Sequence, residues 1–245
     1  MIDCVSVANM RLSDRKTMEA GISSAELIWR AANAIYHSVC WWGSVAIVTG
    51  SGNNGADGFA LACILKTQGI SVHVFTVAEK LHEDAAFYAS YAKRAGVPIG
   101  LYKRGALLGY DIIVDCLLGT GFNGILRENY QAAIEEINDT NAYIVSVDIN
   151  SGMNGDTGHA SVAVKSDITV TVQFLKNGLV QQCAGTFMKR LKCVDIGILL
   201  AAEENKLCSD EEWELLCSLH HVSSDDTFHE IDDRVFYRRP HWVDI

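Results

Sequence analysis

The segment Val45–Gly58, VAIVTGSGNNGADG, restricts the fold more than any other part of the chain. Five apolar or β-branched residues, Val45 to Thr49, read as a short buried strand. Gly50 to Gly58 then sets four glycines among two asparagines and one aspartate. The following FALACILKTQG reads as a helix over 57–68, closed by Gly69 just past its end. Strand, polar glycine loop and helix, in that order, aim several backbone N–H groups and a helix N-terminus at one point. That arrangement suits a phosphate. Asn53, Asn54 and Asp57 add amides and a carboxylate beyond what a phosphate needs.

The pattern continues. Further strands are predicted at 72–77, 97–101, 112–116, 143–148 and 168–172, with a longer edge ribbon at 187–195. Helices are predicted between them at 82–95 and 128–138. Strands separated by helices of this length imply an α/β fold: a three-layer α/β/α sandwich around a mostly parallel, Rossmann-like sheet. A helical preface comes first. Residues 6–20 carry Val7, Met10 and Met18 at loosely helical spacing, and the capping box Ser23-Ser24-Ala25-Glu26 opens a second helix to about Trp41. In such sheets ligands bind at the carboxyl ends of strands. The polar glycine loops 50–58, 115–125 and 148–158 each follow a strand, so they are expected to face one crevice.

A chain of 245 residues, 49% of them hydrophobic, supports one sizeable core. The expected division is a domain over 1–202 and an acidic tail over 203–245 with a short helix. The net charge is −10, and residues 203–245 alone contribute −8, so no basic face exists to attract nucleic acid. No apolar run reaches membrane-spanning length and the N-terminus lacks a signal pattern. A cytoplasmic protein with no membrane partner is expected. The eight cysteines form no CxxC pair, which points to reduced thiols. In the tail, Ser209-Asp210-Glu211-Glu212 is a capping box opening a helix to about Leu219. Nearby Cys208, Cys217, His220 and His221 match no standard zinc spacing. The aromatic end, Phe236, Tyr237 and Trp242, is expected to pack on its own or a partner subunit.

The three loops carry the chemistry. Gly50-Ser51-Gly52-Asn53-Asn54-Gly55 is a literal G-x-G-x-x-G, and Glu79 lies just past the second core strand, as a dinucleotide-dependent dehydrogenase fingerprint asks. The same stretch also reads as a tight turn without a ligand, and hydride transfer requires neither Asn-Asn nor Asp57. The second loop, DCLLGTGFNG, begins with the strand-end Asp115. The third, DINSG followed by NGDTG, begins with Asp148. Asn54, Asp115 and Ser151 present amide, carboxylate and hydroxyl oxygens, a set suited to a hard cation and lacking any soft ligand. Asp148, if desolvated, can act as an acid or base.

Taken together, these loops resemble those of the NAD(P)H-hydrate epimerase family, the YjeF N-terminal domain. The resemblance covers about residues 5–198. It rests on GNNGADG at 52–58, DCLLGTGFNG at 115–124, VDINSG with GDTG at 147–158, SDITVTVQFLKNGL at 166–179 and VDIGI at 194–198. It implies an isomerase that interconverts the R and S forms of NADH or NADPH hydrated at C6 of the nicotinamide ring, a metabolite-repair activity dependent on potassium. The implied substrate contacts are Asn53, Asn54, Gly55, Ala56 and Asp57 in the first loop. In the second they are Gly119, Thr120, Gly121, Phe122, Asn123, Gly124 and Ile125, and in the third Asp148. The implied potassium ligands are Asn54, Asp115 and Ser151, and Asp148 is expected to be the catalytic group, donating a proton to the departing hydroxyl and then helping to return water to the other face. Lys176 matches a family lysine whose role the resemblance leaves open.

The chain departs from the pattern at three places. Ala56 replaces a loop glycine, Asn150 replaces the proline before Ser151, and Trp29 stands where a polar residue is usual. The proline's loss is expected to loosen the loop around the ion site. Many family members continue into an ADP- or ATP-dependent dehydratase domain; here that step is expected from a separate protein. A homodimer is a fold-level expectation. Two other readings stay open: a non-catalytic nucleotide-binding or dimerisation scaffold, and a nicotinamide-dependent dehydrogenase.

Overall fold

The computed structural model describes residues 1–122 and 124–244. The first 101 residues run β1 (Ile2–Val5), α1 (Val7–Glu19), α2 (Ser24–Ser38), β2 (Ser44–Thr49), α3 (Asn53–Thr67), β3 (Ser71–Thr76), α4 (Glu83–Arg94) and β4 (Ile99–Leu101). Next come β5 (Ile112–Cys116), α5 (Glu128–Asp139), β6 (Tyr143–Val147), β7 (Ile168–Val172), β8 (Leu175–Lys176) and β9 (Leu191–Val194). The C-terminal part holds β10 (Asn205–Cys208), α6 (Asp210–His220), β11 (Phe228–Ile231), β12 (Arg234–Arg238) and β13 (Val243–Asp244).

The main sheet has eight strands in the order β13-β9-β7-β6-β5-β2-β3-β4, and every pairing in it is parallel. Strand alternation divides the core. Val45, Ile47, Ile112, Val114, Val145 and Val147 face α2, α3 and α4 on one side. Ala46, Val48 and Ile113 face α5 on the other, through Tyr130, Ala133, Ile134 and Ile137. Both faces are covered, so these strands read as continuous apolar runs. The expected three-layer α/β/α sandwich is the observed one, including the helical preface.

Glycine accounts for how closely the first loop packs. A Cβ on Gly58 would come 2.9 Å from Cys116 Cβ, and one on Gly50 would lie 2.0 Å from the Leu117 carbonyl oxygen. These glycines let α3 press onto the ends of β2 and β5. The helix begins at Asn53, four residues before its expected start, because Asn-Asn forms its first turn instead of a preceding loop. Ala56 therefore sits in helical backbone, fully buried, where the missing glycine costs nothing.

Two regions differ from expectation. Residues 187–195 form only the short β9, with an isolated bridge between Ser166 and Met188 before it. It is also no edge: β13 pairs with it from outside. The segment after 203 does hold the capped helix α6, with the Ser209–Glu212 capping box in place. It also supplies three strands to a second, mixed sheet in the order β11-β12-β10-β1-β8. Here β10 pairs antiparallel with the N-terminal β1, which pairs parallel with β8. Cys4, Leu175, Leu207 and Tyr237 form its buried side with Trp242 and Val243. Trp242 packs on its own chain, its ring against Gly185 and its Nε1 donating to Leu179 O at 3.2 Å. Burying an aromatic or aliphatic side chain stabilises by about 1.5–3 kcal/mol, so this group fastens the C-terminal segment firmly.

Among the described residues no helix is long and apolar enough to cross a membrane. The eight cysteines are free thiols, five of them buried.

Candidate functional site

At the carboxyl ends of β2, β5 and β6 lies a cavity of about 480 Å³, within the ordinary range for small-molecule sites. Its floor comes from the first two glycine loops and Asp148, and its roof from the helical preface through Met10, Asp14, Leu27 and Ile28. Arg11 on α1 donates from Nη2 to Thr120 O at 2.6 Å, bracing the second loop. The preface therefore exists to close the site.

The first turn of α3 opens onto this cavity. Its N-cap is Gly52, which offers no side-chain cap, so the leading N–H groups remain available to an anion. Asn53, Asn54 and Asp57 line the cavity, whereas Gly55 and Ala56 lie behind them. From the second loop Gly119, Thr120, Gly121 and Phe122 contribute. Gly124 and Ile125 lie outside the lining, Ile125 being 85% exposed. Asn123 lies outside the described residues. Of the third loop only Asp148 reaches the cavity. The GDTG half instead packs on the N-terminus of α1, where Asp156 Oδ1 accepts from Val7 N at 2.7 Å.

Asp148 ends β6 with φ of +68°, a left-handed conformation uncommon outside glycine and asparagine. The Asp148 N–H is held by Val170 O at 2.8 Å. This turn projects the carboxylate into the cavity. Its Oδ1 accepts from Nζ of Lys176 at 2.5 Å, and that lysine is fully buried. Lys176 also donates to Val172 O (2.8 Å) and Thr171 Oγ1 (3.1 Å), so its ammonium is saturated. The other carboxylate oxygen faces Gly119, where an added Cβ would stand 3.3 Å away.

Asn54, Asp115 and Ser151 do come together, beneath the cavity floor. Ser151 Oγ donates to Asp115 Oδ1 at 2.5 Å and accepts from Leu118 N at 2.9 Å. Asn54 Nδ2 donates to Leu118 O (2.8 Å) and Val147 O (3.1 Å). That leaves Asn54 Oδ1 buried without a hydrogen-bond partner among the described residues. Turning the amide over would gather three oxygens, Oδ1 and the two carbonyls, at one point, a donor set that suits a hard cation. An unpaired buried oxygen costs about 1–3 kcal/mol, so the observed arrangement fits an ion-binding network. Asp115 accepts four protein hydrogen bonds, from Ser151 Oγ, Ser151 N, Leu117 N and Ser146 Oγ. It would therefore supply negative charge more than an open lone pair. Burial pushes its carboxyl upward, and those donors pull it back.

Asn150 does the opposite of loosening its loop. It is fully buried, and its Nδ2 contacts Val164 O, Ser166 Oγ and Phe187 O at 2.8–3.0 Å while Oδ1 accepts from Thr169 Oγ1 at 2.6 Å. A side-chain network replaces the stiffness of the absent proline. Glu79 is exposed and off the cavity, which leaves the dehydrogenase fingerprint without its ribose carboxylate.

Two further carboxylates belong to the site. Asp57, from α3, is pushed well above the usual carboxylate range by burial and by the neighbouring charges of Asp148 and Asp14. Asp14, from α1, rises to about 6, chiefly through burial. Sequence reading passed over Asp14 because it lies in a charged helix whose apolar residues are only loosely periodic. Only the fold shows that this helix roofs the cavity.

A family model described as YjeF-related protein N-terminus matches residues 17–178. A protein of Rhodopirellula baltica named NAD(P)H-hydrate epimerase is 35% identical over 81% of this chain and 82% of its own length. One of the same name from Limosilactobacillus fermentum is 32% identical over 78% of this chain and 95% of its own length. The Archaeoglobus fulgidus protein named bifunctional NAD(P)H-hydrate repair enzyme Nnr is 35% identical, and the chain spans 42% of its length. The crystal structure of the yeast protein ynu0 superposes with a TM-score of 0.69 at 19% identity, covering 96% of this chain and all of the other, a likeness of fold.

Proposed function

The chain belongs to the family of the YjeF-related protein N-terminus, and on that premise we propose that it is an NAD(P)H-hydrate epimerase. Its substrates are the R and S forms of NADH or NADPH carrying water at C6 of the nicotinamide ring. The observation that carries this reading is the Lys176–Asp148 ion pair at a strand end inside the cavity, beside an uncapped helix N-terminus. The helix suits the dinucleotide's phosphates, and the carboxylate suits the reacting ring.

The C6 hydroxyl sits on carbon next to the ring nitrogen, whose lone pair expels it once the oxygen is protonated. Water then adds from the opposite face and gives up a proton. Asp148, ion-paired through Oδ1, serves through Oδ2 as the acceptor for that proton. In the reverse direction the same oxygen returns the proton, which is the donor role expected for it. Residues of α1 and α2 wall the space that the ring would fill. General acid–base help of this kind is worth about 10²–10⁴-fold.

Asn54, Asp115 and Ser151 would hold a potassium ion, the all-oxygen set and the unpaired Asn54 Oδ1 supporting it. The ion would supply fixed positive charge that organises the two loops. The activity is proposed to be cytoplasmic. The three readings separate in one assay. The proposed epimerase turns purified R hydrate into the S form far faster than buffer does. A dehydrogenase changes absorbance only with a second substrate, and a scaffold changes nothing.

A further inference from the structure

Asp14 and Asp57 reach one cavity from different helices, and the buried ammonium of Lys176 behind that cavity is already committed to Asp148. Neither Asp14 nor Asp57 has a protein hydrogen-bond or ion-pair partner among the described residues, so each carboxyl is turned toward the space a substrate would fill. Two carboxylates that line one cavity without protein partners disfavour each other's ionised form.

We propose that Asp57 is the catalytic acid that protonates the departing C6 hydroxyl, and that Asp14, facing the same cavity from α1, is a positioning residue that acts through Asp57. The proposal rests on the epimerase reading: in the R-to-S direction Asp57 gives the proton and Asp148 receives it, and the reverse direction runs the same transfers backward. The step balances without any other reactant. The Asp57 O–H proton passes to the hydroxyl oxygen, the C6–O bond breaks with its electron pair leaving on water, and the ring nitrogen lone pair forms a C=N bond. On return, water adds to C6 from the other face, that bond's electrons go back to nitrogen, and the proton released goes to Asp148. Proton return from Asp148 to Asp57, through the water of the cavity, resets the site.

The groups around Asp57 set the sign of its pH dependence. Asp14 and Arg11 approach from α1, Asp148 and Lys176 from the sheet, and His82 and Asp84 from the start of α4. Tyr88 and Cys116 stand nearby as neutral groups. Burial and three carboxylates raise Asp57, and Lys176 alone among its charged neighbours opposes them. The acid is therefore active when protonated, and turnover falls as pH rises.

The test compares wild type, Asp57→Asn and Asp14→Asn on purified R hydrate across pH, with ¹³C NMR of the aspartate carboxyl carbons. Asp57→Asn is expected to lower kcat by about 10² or more with KM little changed. Asp14→Asn is expected to keep turnover at low pH and move the high-pH fall downward by roughly one unit, because the neighbouring negative charge is gone. In the wild type two carboxyl carbons, of Asp14 and Asp57, titrate above the ordinary carboxylate range, and the higher of the two signals disappears in Asp57→Asn. An Asp57→Asn kcat within tenfold of wild type, or an unmoved pH limb in Asp14→Asn, overturns the proposal while leaving the epimerase reading intact. A wild type that does not interconvert the epimers overturns the reading instead, and the NMR titration still decides whether Asp57 stays protonated above the ordinary carboxylate range. Should Asp57→Asn fail to fold, Asp14→Asn and the wild-type titration carry the decision.

Discussion

Lys176 Nζ lies 2.5 Å from Asp148 Oδ1, a fully buried ammonium against a carboxylate that opens on the cavity. Removing the lysine strands a charge where water scarcely reaches. Breaking a buried pair from one side costs about 3–5 kcal/mol. Lys176→Met should lower the urea midpoint by a matching amount and reduce kcat/KM by about 10²-fold or more. Unchanged unfolding together with normal turnover would show that the pair holds neither the fold nor the chemistry.

The cavity carboxylates make stability depend on pH in a direction opposite to ordinary salt-bridged aspartates. Asp14 rises in the folded state to about 6, so the folded protein holds its proton more tightly than the unfolded chain does. This group's contribution is greatest below the ordinary carboxylate range and is lost as pH climbs from about 4 to 6. Asp14→Asn should therefore raise Tm by a few degrees at pH 8 and leave it nearly unchanged at pH 4. Calorimetry at the two pH values checks this, and an equal shift at both would contradict it.

Asn150 ties four buried partners together, and the proline usual at its position in the family could hold none of them. Asn150→Pro leaves the hydroxyls of Ser166 and Thr169 and two carbonyls short of partners. The expected loss is about 2–4 kcal/mol in urea unfolding, although the change restores the commoner residue. A neutral or stabilising result would mean that the proline's stiffness outweighs the network.

The unpaired Asn54 Oδ1 bears on potassium. A cation bound only by the folded state raises Tm with concentration. Potassium chloride should therefore stabilise the wild type more than choline chloride at equal ionic strength, and Asn54→Ala should abolish the difference. The same rise in both proteins would remove Asn54 from the ion site.

Much of this was legible in the sequence, for identifiable reasons. Parallel strands buried on both faces leave unbroken apolar runs such as Val45–Thr49 and Ile112–Cys116, and glycine loops mark their ends. The meeting of Asn54, Asp115 and Ser151 followed because each stands at or just past a strand end of one sheet. The second sheet was not legible. Its strands are two to five residues long and mostly half-exposed, and β1 gains meaning only when Cys4 pairs with Asn205, some two hundred positions later. Asp14 was invisible for a related reason: a carboxylate on a polar helix declares no role until the helix is seen to roof a cavity. Asn150 was misread because a lost proline removes stiffness locally, while its replacement can restore it through distant partners.

The most direct measurement compares wild type with Asp148→Asn, a change that keeps the side chain's shape and suits the left-handed backbone at that position. Turnover of purified R hydrate to S is followed alongside dinucleotide affinity. The expected result is a fall in kcat of about 10² or more, with affinity within about threefold of wild type. Near-normal interconversion by Asp148→Asn would contradict the assignment of the strand-end carboxylate as the centre of the chemistry.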